Sequence, residues 1–188
     1  MGRILLLLFA YSLILSCTNT EQQVKTTESK DSSTTLSQNK DINNQASSDY
    51  FIVDKDSITI LPFEIEVSLS PKGIERIKGK ETIMVSIDFT GIPKDSSKAN
   101  ISEDGIFYVA TDTKEIQYGH VARFENIKFP RDIYDNLLDK DIELGVNIYS
   151  GRKSSPDNLL NCPPLFEKIS KVVNQKLTID GKLIYGDD

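Results

Sequence analysis

The chain has 188 residues, with 22 basic and 28 acidic side chains, so its formal net charge is −6. It contains no tryptophan, two cysteines and one histidine. This composition excludes a collagen, a coiled coil, a disulfide-rich small protein and a polytopic membrane protein. Because an acidic chain is poorly suited to covering many phosphates, we also expect no nucleic-acid partner.

Residues 1–16 have the pattern of a secretory signal peptide. Arg3 supplies a positive charge, and residues 4–15 form an uncharged apolar run that is too short to cross a bilayer. The end of the segment resembles the lipobox of bacterial lipoproteins, with the residues Ile14, Leu15, Ser16 and Cys17. An ordinary secretory signal with a chance cysteine and a short uncleaved anchor are the alternatives.

The lipobox resemblance implies a location. In bacterial lipoproteins the cysteine thiol receives a diacylglycerol and the preceding residues are removed, so Cys17 would be the lipid attachment site and the first mature residue. Two or more acyl chains hold a protein stably at a membrane. The resemblance therefore implies an acylated (palmitate-type) lipoprotein of the bacterial cell envelope, with the membrane as its partner. Thr18 favours the outer membrane, with the domain in the periplasm or at the cell surface.

Residues 17–49 comprise the lipidated cysteine and a polar tether. Of residues 18–49, 20 are Ser, Thr, Asn or Gln, and only four are apolar. Such a segment buries too little apolar surface to offset the entropy of ordering it, so we expect it to be disordered. A flexible chain of this length spans about 30 Å.

Residues 50–188 contain all seven prolines and have the length of a single domain. Apolar and polar residues alternate with a period of two over residues 63–69, 83–89 and 142–148, as in half-buried strands. Weaker strand patterns occur at residues 51–53, 57–61, 105–111, 115–119 and 121–129. Residues 176–185 fit either one long strand or a hairpin that turns at Asp180 and Gly181.

Short helices are predicted at three places. Ser70 and Pro71 are a favourable N-cap and first helical residue. Apolar residues spaced by four indicate one or two helical turns after Pro130. The longest predicted helix begins at Pro164, and one of its faces carries Leu165, Ile169, Val172 and Val173.

These elements predict a mainly β fold, a two-layer antiparallel β-sandwich (Ig-like or transthyretin-like) with a few short helices. A single polar face on each strand favours antiparallel pairing. An open β-barrel is the alternative. Residues 123–127, followed by Pro130, resemble the stretch that precedes the last strands of transthyretin-like and related surface sandwiches. The domain as a whole is not placed in a named family.

Few residues are suited to carrying chemistry. His120 is the sole histidine and no nucleophile motif accompanies it, so we expect a structural or exposed side chain. Lipidation of Cys17 would leave Cys162 unpaired, and we expect Cys162 to be buried or half-buried. One histidine and one thiol are too few ligands for zinc. We predict no catalytic residue, no metal site and no cofactor.

Two oxygen-rich patterns are weaker candidates. Asn100, Ser102 and Asp104 resemble the first half of an EF-hand loop, but the twelfth position lacks the required glutamate. A turn is therefore favoured over a calcium site. Glu64 and Glu66 lie two apart on one strand face, where a carboxylate pair would suit a hydrolase. A solvated polar face is the other interpretation.

The loop at residues 150–164 is the most interesting part of the domain. It is long for a compact domain, and long loops at the ends of sandwiches often bind ligands. The candidate binding residues are Arg152, Lys153, Asp157, Asn158, Leu159 and Leu160. In the alternative interpretation the leucines cap the core and the charges are merely solvated.

We predict a lipid-anchored binding module whose ligand is an envelope protein or a glycan. One alternative is a structural or assembly lipoprotein that pairs through a sheet edge. A carboxylate-based hydrolase is another. A flat apolar patch near Leu159 and Leu160 would favour a protein partner. A bare edge strand would favour assembly, and a deep pocket with converging carboxylates would favour an enzyme.

Overall fold

The computed structural model of the chain describes residues 49–186. The predicted signal peptide, the predicted lipidation site at Cys17 and the predicted tether up to residue 48 lie outside the described residues. Strands dominate the described part, so the predicted mainly β fold is confirmed. None of the helices in residues 49–186 has the length and apolar character that spanning a bilayer would require.

The strands form three open sheets. In chain order the strands are β1 (Phe51–Val53), β2 (Ser57–Ile60), β3 (Phe63–Leu69), β4 (Thr82–Gly91), β5 (Phe107–Gln117), β6 (Ala122–Phe124), β7 (Lys128–Pro130), β8 (Glu143–Ser150), β9 (Leu160–Asn161), β10 (Leu165–Lys168) and β11 (Lys176–Leu183). The sheet orders are β1-β2-β7, β10-β8-β4-β5 (the β4 sheet) and β6-β3-β11-β9 (the β3 sheet). The helices are α1 (Pro71–Ile77) and α2 (Arg131–Asn136), with 3₁₀ turns at Ser96–Lys98 and Ile169–Lys171.

The two four-stranded sheets pack on each other across the main core. Alternate residues of β3 and β4, such as Ile65 and Val85, are fully buried. Between the sheets the rings of Phe63 and Phe89 meet edge to face, with centroids 6.1 Å apart. The alternation predicted for β3, β4 and β8 is therefore confirmed. Layered open sheets of this kind are consistent with a β-sandwich or an open barrel.

One strand pair departs from antiparallel pairing. β3 and β11 run parallel, with Lys176 opposite Glu64. The backbone N–H of Glu64 donates to the carbonyl of Gln175 at 2.9 Å, which places the start of β11 beside the start of β3. The outer face of the pair is still charged, because Lys176 Nζ lies 2.9 Å from Glu66 Oε2. A single polar face therefore does not reveal strand direction here.

Two of the three predicted helices are confirmed. α1 begins with Pro71, and the Ser70 hydroxyl accepts a hydrogen bond from the backbone N–H of Gly73 at 3.1 Å. α2 directly follows Pro130. Capping chemistry and proline position therefore locate the starts of these helices correctly.

The predicted long helix from Pro164 is wrong. Leu165–Lys168 is the strand β10, which pairs antiparallel with β8, and only Ile169–Lys171 turns as a 3₁₀ helix. Pairing along the free edge of β8 overrides the helical spacing of the apolar residues. Ile169, Val172 and Val173 are still buried, but they reach the core from the turn and the residues after it.

Three other segments differ from the predictions in extent. β5 is one strand of 11 residues where the sequence suggests two. Residues 121–129 divide between β6 and β7, which belong to different sheets, and Asn126 between them has a φ of 61°. Residues 176–185 contain one strand and no hairpin, because Asp180 and Gly181 lie within β11 and pair with β3.

The β4 sheet separates the two long loops of the domain. At one end, which we call the Arg152 end, β4 begins at Thr82 and β8 ends at Ser150, where the loop of residues 150–164 starts. At the opposite end, which we call the Ile92 end, β4 ends at Gly91 and enters the loop of residues 91–105. The candidate site lies at the Arg152 end.

Candidate functional site

Glu81 holds the start of the predicted binding loop in place. Glu81 is only 2% exposed. Its Oε1 accepts hydrogen bonds from the backbone N–H groups of Lys153 at 2.8 Å and Thr82 at 3.0 Å. Oε2 accepts from the backbone N–H of Ser154 at 2.8 Å and from its hydroxyl at 3.0 Å. These four donors satisfy a buried carboxylate. We call residues 151–154 the Glu81-anchored loop.

The same hydrogen bonds set the charge of Glu81. Burial by itself raises the pKa of a carboxyl group, because it disfavours the charged form. Hydrogen bonds from Ser154, Lys153 and Thr82 outweigh this burial and hold the pKa of Glu81 below its usual value. Glu81 is therefore ionised at neutral pH, and its charge lies beneath a loop whose exposed side chains are basic.

Arg152 occupies a strained position in the Glu81-anchored loop. Its φ is 59°, in the left-handed region that residues other than glycine rarely adopt. The preceding Gly151 has no room for a side chain, because a Cβ atom there would overlap Thr82 Oγ1. The Arg152 side chain is exposed and has no hydrogen bond or ion pair with another described residue. The loop is thus fixed, while the guanidinium is available to a ligand.

Arg152 and Lys153 share this end of the sheet with the carboxylates of Glu81 and Glu115. Lys78 and Lys80 lie just before β4 and, like Lys153, are exposed. Glu115 Oε1 accepts a hydrogen bond from the Thr82 hydroxyl at 2.6 Å and lies 2.9 Å from Lys153 Nζ. The Thr82 hydrogen bond, followed by that from Lys153, holds the pKa of Glu115 below its usual value. Arg152 is therefore the cation of this loop that has no carboxylate partner among the described residues.

A shallow depression of about 450 Å³ adjoins the Glu81-anchored loop. Its lining includes Met84, Glu115, Tyr149, Arg152 and Lys153. Met84 and Tyr149 are cross-strand neighbours in β4 and β8, and both are half-buried. They supply an apolar floor beside two cations. This arrangement suits a ring that carries an anionic group.

Asn158 closes the predicted binding loop and does not face a ligand site. Its Oδ1 accepts hydrogen bonds from the backbone N–H groups of Ser150 at 2.8 Å and Leu160 at 3.1 Å. Its Nδ2 donates to the Leu160 carbonyl at 2.8 Å. The amide therefore ties the end of β8 to β9.

The remaining predicted binding residues divide into two groups. Leu160 is buried, and Leu159 is half-buried against the core, as expected if the leucines cap it. Arg152, Lys153 and Asp157 are exposed. The structure brings Arg152 and Lys153 together at the depression, whose lining does not include Asp157.

Sequence reasoning missed four residues of this site, namely Glu81, Met84, Glu115 and Tyr149. Met84 and Tyr149 carried a usable signal, because each is a large apolar or aromatic residue on the polar face of an alternating strand. Glu81 carried none. It stands in a charged run with Lys78 and Lys80, and nothing in the sequence marks it as the buried member.

Glu64 and Glu66 do not form a carboxylate pair. Glu64 Oε1 lies 3.8 Å from Arg123 Nη1, and Glu66 Oε2 lies 2.9 Å from Lys176 Nζ. Each carboxylate therefore has a cation as its ionic neighbour on the outer face of the β3 sheet. This arrangement corresponds to the solvated polar face.

Ser102 and Asp104 belong to a turn, and Asn100 lies just before it. The Ser102 hydroxyl donates to the Asp104 carboxylate and lies 2.8 Å from the Ile106 carbonyl, while Gly105 has a φ of 82°. Within the described part of the chain, no group of three or more His, Cys, Asp or Glu side chains is placed to hold a metal ion.

His120 and Cys162 have the expected placements. His120 is exposed in the turn after β5, where its backbone N–H donates to the Gln117 carbonyl at 3.0 Å. Cys162 is unpaired and half-buried. Burial raises the pKa of the Cys162 thiol to about 11. Because the thiolate is the reactive form, this cysteine is weakly nucleophilic at neutral pH.

The chain matches no model of a known protein family, no curated protein and no solved structure.

Proposed function

We propose that this chain is a lipid-anchored module of the bacterial cell envelope that binds an anionic glycan at its Arg152 end. One observation carries the proposal. Buried Glu81 fixes residues 151–154 so that Arg152 and Lys153 flank a depression with an apolar floor. An arginine fork binds carboxylates and phosphates through two parallel hydrogen bonds. A loop already held in position loses little further entropy on binding.

A glycan fits this surface better than a protein does. An exposed apolar patch at Leu159 and Leu160 would favour a protein partner, but Leu160 is buried and Leu159 is half-buried. Large exposed apolar side chains such as Ile92 and Leu138 lie at the Ile92 end instead. A sugar ring with a carboxylate or phosphate matches the small apolar floor and its flanking cations.

The membrane anchor is proposed from the sequence alone. Lipidation at Cys17, followed by the polar tether, would hold the domain near the outer membrane and leave it able to reach envelope glycans. We expect Cys17→Ser to release the protein from the membrane fraction of a lipoprotein-processing bacterium. Continued membrane association of this variant would contradict the anchor.

The glycan proposal is tested by titration of the full chain in detergent. The probes are a labelled polyuronate oligosaccharide, which carries carboxylates, and a lipopolysaccharide core oligosaccharide, which carries phosphates; neutral dextran is the control. We expect at least one charged probe to bind and dextran not to bind. Arg152→Ala should weaken binding about tenfold or more, because a hydrogen bond to a charged group contributes about 1.5–3 kcal/mol.

Lys98→Ala is the matched control for the titration. Lys98 is an exposed lysine in the loop of residues 91–105, at the Ile92 end. This variant should bind the charged probe as the unsubstituted chain does. Equal losses in Arg152→Ala and Lys98→Ala would indicate attraction to the whole surface and would refute a site at the Arg152 end. Binding of dextran as tight as that of the charged probes would do the same.

A further inference from the structure

The free edge of the β4 sheet is formed by β5. This strand has 11 residues; β4 is its only partner among the described strands, and its first residue, Phe107, also forms an isolated bridge with Ile101. The other edge strands of the two large sheets are much shorter, with 3 residues in β6, 2 in β9 and 4 in β10. The pairing register shifts between Phe89 and Thr90, so residues 110–117 are the regular part of this edge. A long bare edge offers unpaired backbone groups to another strand.

The backbone groups at this edge can be assigned from one hydrogen bond. The backbone N–H of Gly151 donates to the Thr82 carbonyl at 2.8 Å, so Thr82 and every second residue after it in β4 point their backbone groups toward β8. Ser86 is one of these residues and pairs with Thr113, so the backbone groups of Thr113 point away from β4, where its N–H donates to the Asp112 carboxylate at 2.8 Å. Because neighbouring residues of an antiparallel strand point their backbone groups in opposite directions, those of Thr111 and Glu115 also point outward. These three residues make no backbone hydrogen bond outside the β4–β5 pair.

The side chains of β5 are arranged so that two antiparallel copies of the strand would complement each other. On the inner face the order is Ala110, Asp112, Lys114 and Ile116, all half-buried. On the outer face the order is Thr111, Thr113 and Glu115, all exposed. If a second copy of the strand runs antiparallel with its Thr113 opposite Thr113, Asp112 faces Lys114 and Ala110 faces Ile116.

We propose that two copies of this chain pair through their β5 edges, antiparallel about a two-fold axis at Thr113. The cross-strand pairs are Thr113 with Thr113, Asp112 with Lys114, Thr111 with Glu115, and Ala110 with Ile116 of the partner copy. The outward backbone groups of residues 111, 113 and 115 then form about six hydrogen bonds between the copies. The two β4 sheets become one continuous sheet. This pairing is argued from β5 alone, although Glu115 also lines the depression of the proposed glycan site.

The charges favour this register over the two adjacent ones. An axis at Asp112 would place the two Asp112 carboxylates opposite each other, and an axis at Lys114 would oppose the two ammonium groups. Like charges directly opposite each other destabilise a strand pair, whereas opposite charges stabilise it. The axis at Thr113 avoids both conflicts and forms two Asp112–Lys114 pairs.

In the single chain the same side chains protect the edge. Asp112 Oδ2 lies 3.2 Å from Lys114 Nζ, and the Asp112 carboxylate also caps the N–H of Thr113. Inward-pointing charges and a capped N–H blunt an edge against unspecific pairing. In the dimer, the Asp112–Lys114 contact becomes one between copies, and Thr113 N–H bonds the carbonyl of the partner Thr113. Because the dimer replaces contacts within each chain by equivalent contacts between the copies, we expect it to form reversibly and to depend on the protein concentration.

The register is tested by cysteine cross-linking of the full chain in detergent under a mild oxidant. In an antiparallel hydrogen-bonded pair the Cα atoms are about 5.5 Å apart, within the range that a disulfide spans. We expect Thr113→Cys to give a disulfide-linked dimer as its major species. Thr111→Cys is the matched control, because its two copies would be displaced by about 13 Å along the strand. It should give no more dimer than the unsubstituted chain, which contains Cys162.

Charge reversal supplies an independent test without oxidation, read as the dimer dissociation constant from sedimentation. Asp112→Lys should weaken the dimer about tenfold, because two favourable pairs become repulsive. Adding Lys114→Asp to the same chain should restore it. Equal cross-linking of Thr111→Cys and Thr113→Cys, a monomeric unsubstituted chain at all concentrations, or a failure of the double variant to recover would each overturn the proposed pairing.

Discussion

The two long loops at opposite ends of the β4 sheet are alike in sequence and differ in how they are held. Both are polar and contain lysine and serine residues. At the Arg152 end, the Glu81-anchored loop is fixed by a carboxylate that is 2% exposed and accepts hydrogen bonds from Lys153, Ser154 and Thr82. At the Ile92 end, the loop of residues 91–105 has backbone hydrogen bonds, such as that from Lys94 N–H to the Asn136 carbonyl at 2.7 Å, and its side-chain contacts are ones that solvent reaches.

The contacts at the Ile92 end are individually ordinary. Asp95 N–H donates to Asn136 Oδ1 at 3.0 Å, and Asn136 Nδ2 donates to the Asp95 carbonyl at 3.0 Å. The Asp95 carboxylate accepts from Ser97 N–H at 3.1 Å and lies 3.2 Å from Lys98 Nζ. Water can replace any of these partners, so each contact adds little to stability.

This difference teaches where a fixed binding geometry can be built. A buried acceptor leaves its donors unsatisfied when it is lost, so its loop has one strongly preferred conformation. An exposed acceptor allows its loop to exchange protein contacts for water. We therefore place the ligand site at the Arg152 end and expect substitutions there to have the larger effects on stability.

The largest effect is expected for Glu81→Gln. The substitution replaces one acceptor oxygen with an NH₂ donor that faces backbone N–H groups in a buried site. We expect the free energy of unfolding to fall by about 2–4 kcal/mol, as when a buried charge-assisted network loses an acceptor. Chemical denaturation of the chain and the variant measures the loss. A loss no greater than that of Lys98→Ala, which should lie within about 0.5 kcal/mol, would show that Glu81 does not anchor its loop.

The second largest effect is expected for Gly151→Ala. A methyl group at this position would overlap Thr82 Oγ1, which bonds Glu115. Overpacking of this kind lowers the free energy of unfolding by about 1–3 kcal/mol. Gly105→Ala is a useful comparison, because no atom would contact its Cβ and the cost there is the positive φ alone. An unchanged denaturation midpoint for Gly151→Ala would mean that the loop approaches β4 less closely than described.

A smaller effect is expected for Asn136→Ala at the Ile92 end. The variant removes both side-chain hydrogen bonds to the backbone of Asp95. Because Asn136 is half-buried, water can satisfy part of what is lost, and we expect about 1 kcal/mol. Thermal denaturation should therefore rank Asn136→Ala below Glu81→Gln. The reverse ranking would invert the comparison between the two ends.

The smallest effect is expected from acid pH acting through Glu81. Its pKa is lowered by the fold, so its hydrogen bonds contribute fully above the unfolded value of about 4.3. That contribution is lost as the pH falls through the lower folded value. We expect the free energy of unfolding of the unsubstituted chain to fall more steeply in this range than that of Glu81→Gln. Parallel pH curves for the two proteins would contradict the assigned shift.

Local patterns in the sequence were enough to predict much of this fold. Alternation placed the buried faces of β3, β4 and β8, because each side chain's direction depends only on its own strand. Ser70 with Pro71 located the start of α1 for a similar reason, since capping is a local interaction. The helix predicted from Pro164 is wrong, because the apolar residues after Pro164 have helical spacing while their conformation depends on a partner strand more than a dozen residues away.

The candidate site was less predictable than the fold. Arg152 and Lys153 were found from their charge in a long loop, but the sequence did not reveal that Asn158 and Leu160 are structural. Burial of Glu81 arises because two segments 72 positions apart meet, with Lys153 N–H bonding its carboxylate. Neither spacing nor composition records that contact.

Amide hydrogen exchange tests most directly that a buried carboxylate holds the Arg152 end, while the side-chain acceptors at the Ile92 end are exposed. The informative amides are those of Lys153 and Ser154, which donate to Glu81, and that of Ser97, which donates to exposed Asp95. We predict that Lys153 and Ser154 exchange slowly, on the timescale of the β4 sheet, and that Ser97 exchanges fast. Exchange of Lys153 and Ser154 as fast as that of Ser97 would contradict the account.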